Sequence, residues 1–200
     1  MLDELRFIEK PDSISWDTIH QILYQAHEGN RQQGVFMRTA MLSGEELKER
    51  IGKNGKCFVV MDGNEVIATA SVKFVQRNTW YHRGTVADLM LCGILPKYKG
   101  QGLYRKLLVC RYNYAKNFGV NIVELDTAEG NTIIRHASVR NGFKYVAIKA
   151  SPYTKHYSVV LVNWLDGCPY SDWYLKWQFI IRKWYFKLRY KPGHVKRFGI

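Results

Sequence analysis

Cysteine is scarce and scattered in this sequence. Cys57, Cys92, Cys110 and Cys168 stand far apart, no Cys-x-x-Cys pair occurs, and three of the four lie within apolar runs. That pattern argues against a zinc site or a disulfide framework; the expectation is reduced, mostly buried thiols and no metal. An apolar run of the roughly twenty residues needed to cross a bilayer is missing as well. No secretory leader is expected either, because the chain opens Met1-Leu2-Asp3-Glu4, acidic where such leaders are basic. A cytoplasmic protein is expected. Acid is the remaining shortage, with 17 Asp and Glu against 30 Lys and Arg and a formal net charge of +13.

What the chain has is aromatic and aliphatic bulk. Its hydrophobic content of 46%, with 6 Trp, 13 Tyr and 9 Phe, suffices for one domain with a sizeable core and argues against disorder. The rest is organised around Asp88-Leu-Met-Leu-Cys92-Gly93-Ile94-Leu95-Pro96-Lys-Tyr-Lys99-Gly100-Gln101-Gly102-Leu103-Tyr104. The apolar run to Leu95 has the length of a buried strand, and Pro96 cannot continue it. Leu103, Leu107, Leu108, Tyr114 and Phe118 then recur at helical spacing. Gly100 and Gly102 let the backbone turn sharply beside the helix N-terminus, where successive N–H groups and the helix dipole favour an anion. The nucleotide-hydrolase phosphate loop needs a Gly-Lys-Ser/Thr ending, and the dinucleotide fingerprint needs three spaced glycines with a following acid. Neither fits.

The segment resembles the acyl-CoA loop of the GNAT family of N-acetyltransferases: strand, Pro, then Arg/Gln-x-x-Gly-x-Gly/Ala, then a helix. It departs from that pattern at Lys99, where Arg or Gln is usual, and at Tyr104, where a small residue is usual. A second segment fits the same family, with Leu125-Asp126-Thr127, Asn131 and Asn141-Gly142-Phe143 matching its late strand, helix-start Asn and following Gly-Phe. The resemblance implies transfer of an acyl group from acetyl-CoA to a primary amine, by direct attack through a tetrahedral intermediate. It implies that the edge of Cys92, Gly93, Ile94 and Leu95 pairs with the pantetheine arm. The amides of Lys99, Gly100, Gln101, Gly102, Leu103 and Tyr104 should hold the pyrophosphate, helped by the Lys99 charge. The open alternative is a non-catalytic acyl-CoA-binding module or a membrane-surface or interaction protein.

Periodicity and turn signals give strands near residues 4–9, 57–61, 65–75, 85–95, 122–126, 143–149 and 157–163. The turn Asp62-Gly63-Asn64 closes a hairpin between the second and third. Helices are expected from Ser15 to about His27, from a Ser43/Glu46 capping box to about Ile51, from Gly102 to Phe118, and from about Thr132. The result is an α/β (mixed α+β) fold, a seven-stranded mixed sheet flanked by four helices, over residues 1–165.

Among carboxylates, Asp88 is the first candidate general base by resemblance. Glu124 and Asp126, which share one face of their strand, come next. Many family members place a Tyr seven residues after the helix-start Asn to protonate the leaving thiolate. Counting from Asn131 puts Ser138 there, so Tyr104 and Tyr157 become the substitute phenols, with solvent as the other donor. Arg31, Phe36 and Arg38, in the connector between the first two helices, are candidate acceptor contacts by resemblance only; the identity of the amine is not legible.

Residues 166–200 form a separate extension beyond the family's usual end. From Ser171 onward Lys176, Arg182, Lys183, Lys187, Arg189, Lys191, Lys196 and Arg197 face one acid, Asp172, so about half the net charge lies there. Trp173, Trp177, Ile180, Ile181, Trp184 and Leu188 fall on one helical face and Lys176, Lys183 and Lys187 on another. Three readings are open, in this order: the Trp stripe packs on the domain or on a second subunit as a homodimer, it lies on an anionic membrane surface, or it binds nucleic acid.

Overall fold

A computed structural model describes residues 5–35, 37–150 and 156–190. Seven strands form one sheet: β1 (Arg6–Glu9), β2 (Gly55–Asp62), β3 (Glu65–Asn78), β4 (Arg83–Ile94), β5 (Ile122–Ala128), β6 (Lys144–Ala150) and β7 (Tyr157–Trp164). Their spatial order is β1-β2-β3-β4-β5-β7-β6. The first four make an antiparallel meander, β5 joins β4 in parallel, and β7 inserts antiparallel between β5 and β6. Each strand lies within a few residues of its expected position, because apolar runs bounded by Gly, Pro and Asn were present for all of them.

Six α-helices occur among the described residues: α1 (Trp16–Ala26), α2 (Glu28–Gln32), α3 (Gly44–Ile51), α4 (Leu103–Asn117), α5 (Thr132–Arg140) and α6 (Asp172–Arg189). Ser15 caps α1 by accepting from the Thr18 amide, and both halves of the Ser43/Glu46 capping box are formed at α3. The count exceeds four plus the tail because of α2. At five residues it is too short to show periodicity and was read as connector.

From Ile67 to Val72 every residue of β3 is fully buried, which requires cover on both faces of the sheet. One cluster joins Ile19, Ile22 and Leu23 of α1 and Leu47 and Ile51 of α3 to β2–β4 and to Leu103 and Leu107 of α4. Each such aliphatic contributes about 1.5–3 kcal/mol on burial. A second cluster, around Phe143, ties β4, β5 and β7 to Leu108 and Ala115 of α4. The glycine in β4 belongs to this packing: a Cβ on Gly93 would stand 3.1 Å from both the Ala26 Cβ and a Leu23 methyl. Helix α1 therefore rides on β4 at the closest approach the backbone permits.

Helix α6 packs against β6, but not through its tryptophans. Leu175 is buried with Val146, Val160 and Val162. Phe179 lies 5.1 Å from the Tyr145 ring and Phe186 6.3 Å from Tyr157, centroid to centroid. Lys183 and Lys187 pair with Glu129 at 2.6 and 2.8 Å. The reading in which the Trp stripe packs on the domain is thereby corrected: Trp173, Trp177, Ile180, Ile181, Trp184 and Leu188 are all exposed. The edge of the sheet offers aromatic rings and one carboxylate, and these select the face bearing phenylalanine and lysine. Among the described residues no helix is long and apolar enough to cross a membrane. Lys191, Lys196 and Arg197 lie outside the described residues, as does Phe36.

Because Gly93 sets the spacing between α1 and β4, Gly93→Val should overpack this contact and lower stability by about 1–3 kcal/mol. A urea-unfolding midpoint equal to that of the native protein would show that the helix can move away without cost.

Candidate active site

Strands β4 and β5 pair at Ala87 with Val123 and at Asp88 with Glu124, and beyond these two pairs they part. Just past that point β4 is distorted. Leu91 has a φ of 49°, the left-handed region in which a branched side chain is strained, and the register against β3 slips between Thr69 and Ser71. This is a β-bulge, which turns the strand and releases backbone groups from the ladder. The Leu95 amide donates to the Ile67 carbonyl of β3 at 3.0 Å. By strand alternation the amide and carbonyl of Ile94 then face the gap.

The gap is a cleft of about 300 Å³. Leu89 to Cys92 of β4 line one wall and Leu125 to Ala128 of β5 the other, with Tyr104 and Arg111 of α4, Asn131 at the start of α5, and Arg38 and Lys149 also on its surface. The loop before α4 leads into Tyr104 on its surface. Gly100 and Gly102 have φ of 81° and 78°, so glycine is required there by conformation; a Cβ built on either meets no atom within 4 Å. Among the described residues no backbone acceptor meets the amides of Gly100, Gln101 or Gly102, and Leu103 and Tyr104 occupy the first turn of α4, whose amides have no intrahelical partner. Open space, orphan amides and a helix N-terminus fit a pyrophosphate. The Lys99 ammonium is not part of this cradle, since it donates to the Ala26 carbonyl at 2.8 Å and so caps α1.

At the parting point the carboxylates are organised by one arginine. Arg77 donates through Nε and Nη2 to Glu124 at 3.1 and 2.9 Å, and its Nη2 lies 3.6 Å from Asp88. Tyr81 donates to the other Glu124 oxygen at 2.7 Å and Lys149 approaches at 3.6 Å. Burial alone would raise the Glu124 acid, but the Tyr81 hydrogen bond and the charges of Lys149 and Arg77 outweigh it and hold it below the usual range. Asp88 is the reverse: burial, then the neighbouring charges of Asp126 and Glu124, push it up to about 6 against the pull of Arg77 and Lys149. The two adjacent carboxylates thus separate into a fixed anion and a group that titrates near neutrality.

A second cluster lies at the cleft floor. The Tyr104 hydroxyl and the Ser138 hydroxyl are 2.9 Å apart, and burial pushes the Tyr104 phenol up to about 12. The phenol thus stands beside the position where the family's tyrosine would be. Arg111, only 1% exposed, donates Nε to the Leu107 carbonyl at 3.1 Å, interacts with the Cys92 thiol, and leaves Nη2 without a partner. His27 lines the same cleft, its pKa lowered to about 4 by burial and by the charges of Lys99 and Arg31, so it is neutral.

The sequence model of the acetyltransferase (GNAT) family matches residues 16–143. The chain is a member of the GNAT acetyltransferase family. No curated protein matches the sequence. Solved structures share the acetyltransferase's fold: the ribosomal-protein alanine N-acetyltransferase of Escherichia coli superposes with a TM-score of 0.62 at 16% identity, covering 80% of this chain and 94% of that one. A GNAT acetyltransferase from Elizabethkingia anophelis, solved with acetyl-CoA bound, gives 0.59 at 15%, covering 82% and 99%. A spermidine N-acetyltransferase chimera from Vibrio cholerae gives 0.60 at 17%, covering 82% and 96%.

Of the site residues expected from sequence, Asp88, Glu124 and Asp126 gather at the parting point, Cys92, Tyr104, Asp126 and Asn131 line the cleft, and Ser138 stands behind Tyr104; Gly93 to Leu95 and Gly100 to Leu103 are not among the residues on its surface. Asn131 itself caps α5, accepting from the Ile134 amide. Tyr157 is elsewhere: its hydroxyl donates to the Tyr190 carbonyl at 2.8 Å and its ring sits under Lys187, which corrects its candidacy as an acid. Arg31 is also corrected, because it folds back over the Tyr24 ring and donates to the Tyr24 carbonyl, whereas Arg38 does reach the cleft. Arg77, Tyr81, Lys149, His27 and Arg111 were not foreseen. For Arg111 a signal existed, a charged residue in register with the buried Leu107, Leu108 and Ala115 stripe of α4.

Two measurements follow from this geometry. Gly102→Asp adds a side chain at a left-handed position and a negative charge at the cradle, and calorimetry should find no CoA binding to the folded variant; unchanged affinity would remove the cradle. Asp88 binds its proton more tightly folded than unfolded, so its ionisation costs stability; this cost is absent below about pH 4 and fully felt above about pH 6. Asp88→Asn should therefore be more stable than the native protein by about 2–3 kcal/mol at pH 7.5 and lose that advantage by pH 4, measured by urea unfolding.

Proposed function

We propose that this acetyltransferase moves the acetyl group of acetyl-CoA onto a primary amine by direct attack, with Asp88 as general base. The observation that carries the reading is the parting of β4 and β5 immediately after a carboxylate held near pKa 6, where the continuing strands Leu89 to Cys92 and Leu125 to Ala128 wall a cleft. Acetyl-CoA supplies an activated acyl thioester; the chain supplies placement and proton handling. The Ile94 backbone and the amides of Gly100 to Tyr104 hold the pantetheine arm and the pyrophosphate. Asp88 takes the proton the amine must lose, and the Arg77 guanidinium beside it keeps the neighbouring Glu124 charge from raising it further.

The departing sulfur needs a proton or a charge partner, and Ser138 is a far weaker acid than a phenol. The Tyr104 hydroxyl, fixed against Ser138, takes the role that the family gives to a tyrosine at position 138. Since its pKa is near 12, it remains a donor throughout the working range. Arg111, buried with an unpartnered N–H in the same cluster, favours negative charge there. The cleft's acceptor side carries Arg38, Arg50 and Lys149 as well as Asp126, a mixed lining that suits an amine bearing an anionic group better than a polyamine.

Asp88→Asn should lower kcat at neutral pH by about a hundredfold with acetyl-CoA affinity little changed. The native rate should rise through about pH 6 and not fall again by about pH 9, because no titrating acid limits it. Tyr104→Phe should cost about ten- to a hundredfold in kcat. If Tyr104→Phe turns over normally, solvent protonates the thiolate; if Asp88→Asn keeps the native pH profile, the base is Asp126 or water.

A further inference from the structure

We propose that the outward face of α6 docks the protein on an anionic lipid bilayer surface. The helix has 18 residues and uses only one side for the domain, through Leu175, Phe179 and Phe186. Its opposite side presents an unbroken apolar band of Trp173, Trp177, Ile180, Ile181, Trp184 and Leu188, from 43% exposed at Ile180 to 81% at Leu188. A helix of this length spans about 27 Å, so the band is long and narrow. Trp173 and Trp177 stack with ring centroids 6.2 Å apart, presenting two indoles side by side to solvent.

The occupant is selected by charge and by side-chain chemistry. On a helical wheel the band is flanked by Lys176, Lys183 and Lys187 on one side and, beyond Tyr185, by Arg189 on the other, whereas Arg182 lies next to Leu175 with its guanidinium 4.9 Å from the centre of the Trp80 ring. The helix has one acid, Asp172, and it is paired with Lys144 at 2.8 Å. Lys183 and Lys187 are committed to Glu129, which leaves Lys176 and Arg189 exposed at the band's two margins. An apolar band between cationic margins matches acyl chains beneath anionic headgroups, and tryptophan favours that interface because its ring is apolar and its N–H is wet. A second copy brought face to face would set these same-sign margins against each other. A nucleic-acid duplex would accept the cations but leave three indoles and two isoleucines without a partner. The helix lies on the surface and does not span the bilayer, in agreement with its length and charge.

The test uses the full chain with vesicles of phosphatidylcholine alone and of phosphatidylcholine mixed with phosphatidylglycerol, read by flotation and by tryptophan emission. The native protein should float with the mixed vesicles, float at least about tenfold less with phosphatidylcholine alone or at high salt, and show a blue shift when bound. Trp173→Gln combined with Trp177→Gln and Trp184→Gln alters exposed positions only, and should lower partitioning by about tenfold or more while leaving its melting curve and CoA binding unchanged. Lys176→Glu with Arg189→Glu should weaken binding to the mixed vesicles alone. The proposal is overturned if the native protein ignores the mixed vesicles at low salt, or if the triple variant partitions as the native protein does. It is equally overturned if sizing shows a native dimer that the triple variant abolishes without any vesicle binding, or if the face shifts a duplex in place of vesicles.

Discussion

Two parallel strands that separate beside a pair of adjacent carboxylates can do so only if something holds the carboxylates together, and in this protein that is Arg77. Its guanidinium lies on Glu124 and reaches Asp88 from β3, so three neighbouring strands are joined at the point where two of them part. With Tyr81 and Lys149 also committed to Glu124, that carboxylate is satisfied and fixed in charge. Asp88 receives only the longer contact and is left to titrate. The same arrangement therefore closes the sheet below the parting point and leaves one carboxylate poised above it. A buried charge cluster of this kind is weak evidence for stability, since desolvation offsets most of the attraction; its value lies in fixing where the strands open.

The loop before α4 and the cleft floor are organised by different means. In the loop, backbone amides and glycine conformation shape the turn. At the floor, side chains from α4 and α5 meet, with Tyr104 reaching Ser138 and Arg111 beside Cys92. The phenol comes from a different helix than the family pattern places it, yet its oxygen stands at the same neighbour. Substitution at position 138 is thus matched by the large residue at position 104, the other departure from the pattern.

Local signals carried most of the fold. The strands were legible because each was an apolar run ended by Gly, Pro or Asn, and the Ser43 capping box and the Gly100–Gly102 turn announced their helices. What was not legible depended on partners distant in sequence: that Lys99 would cap α1, that Tyr157 would turn toward Tyr190, and that Arg77 would join β3 to β4 and β5. For α6 the amphipathic pattern was read correctly but the packing side was not. The helix has two apolar faces, and only the position of Tyr145 on the edge strand β6, Tyr157 at the start of β7 and Glu129 just after β5 decides which of them is covered.

The parting of β4 and β5 has a cost during the life of the protein without its co-substrate. Beyond Asp88 the free side of β4 is an unpaired strand edge in the middle of a sheet, where an edge is least able to carry the lysines, prolines and charges that protect outer strands. Such an edge is a template for any extended segment, another copy of the chain included. Occupation of the cleft removes the template and, by mass action, draws the chain toward its native state as ligand concentration rises above the dissociation constant. A ligand laid along this edge would therefore do more than present itself for reaction: it would cover the groups through which two copies of the chain could pair.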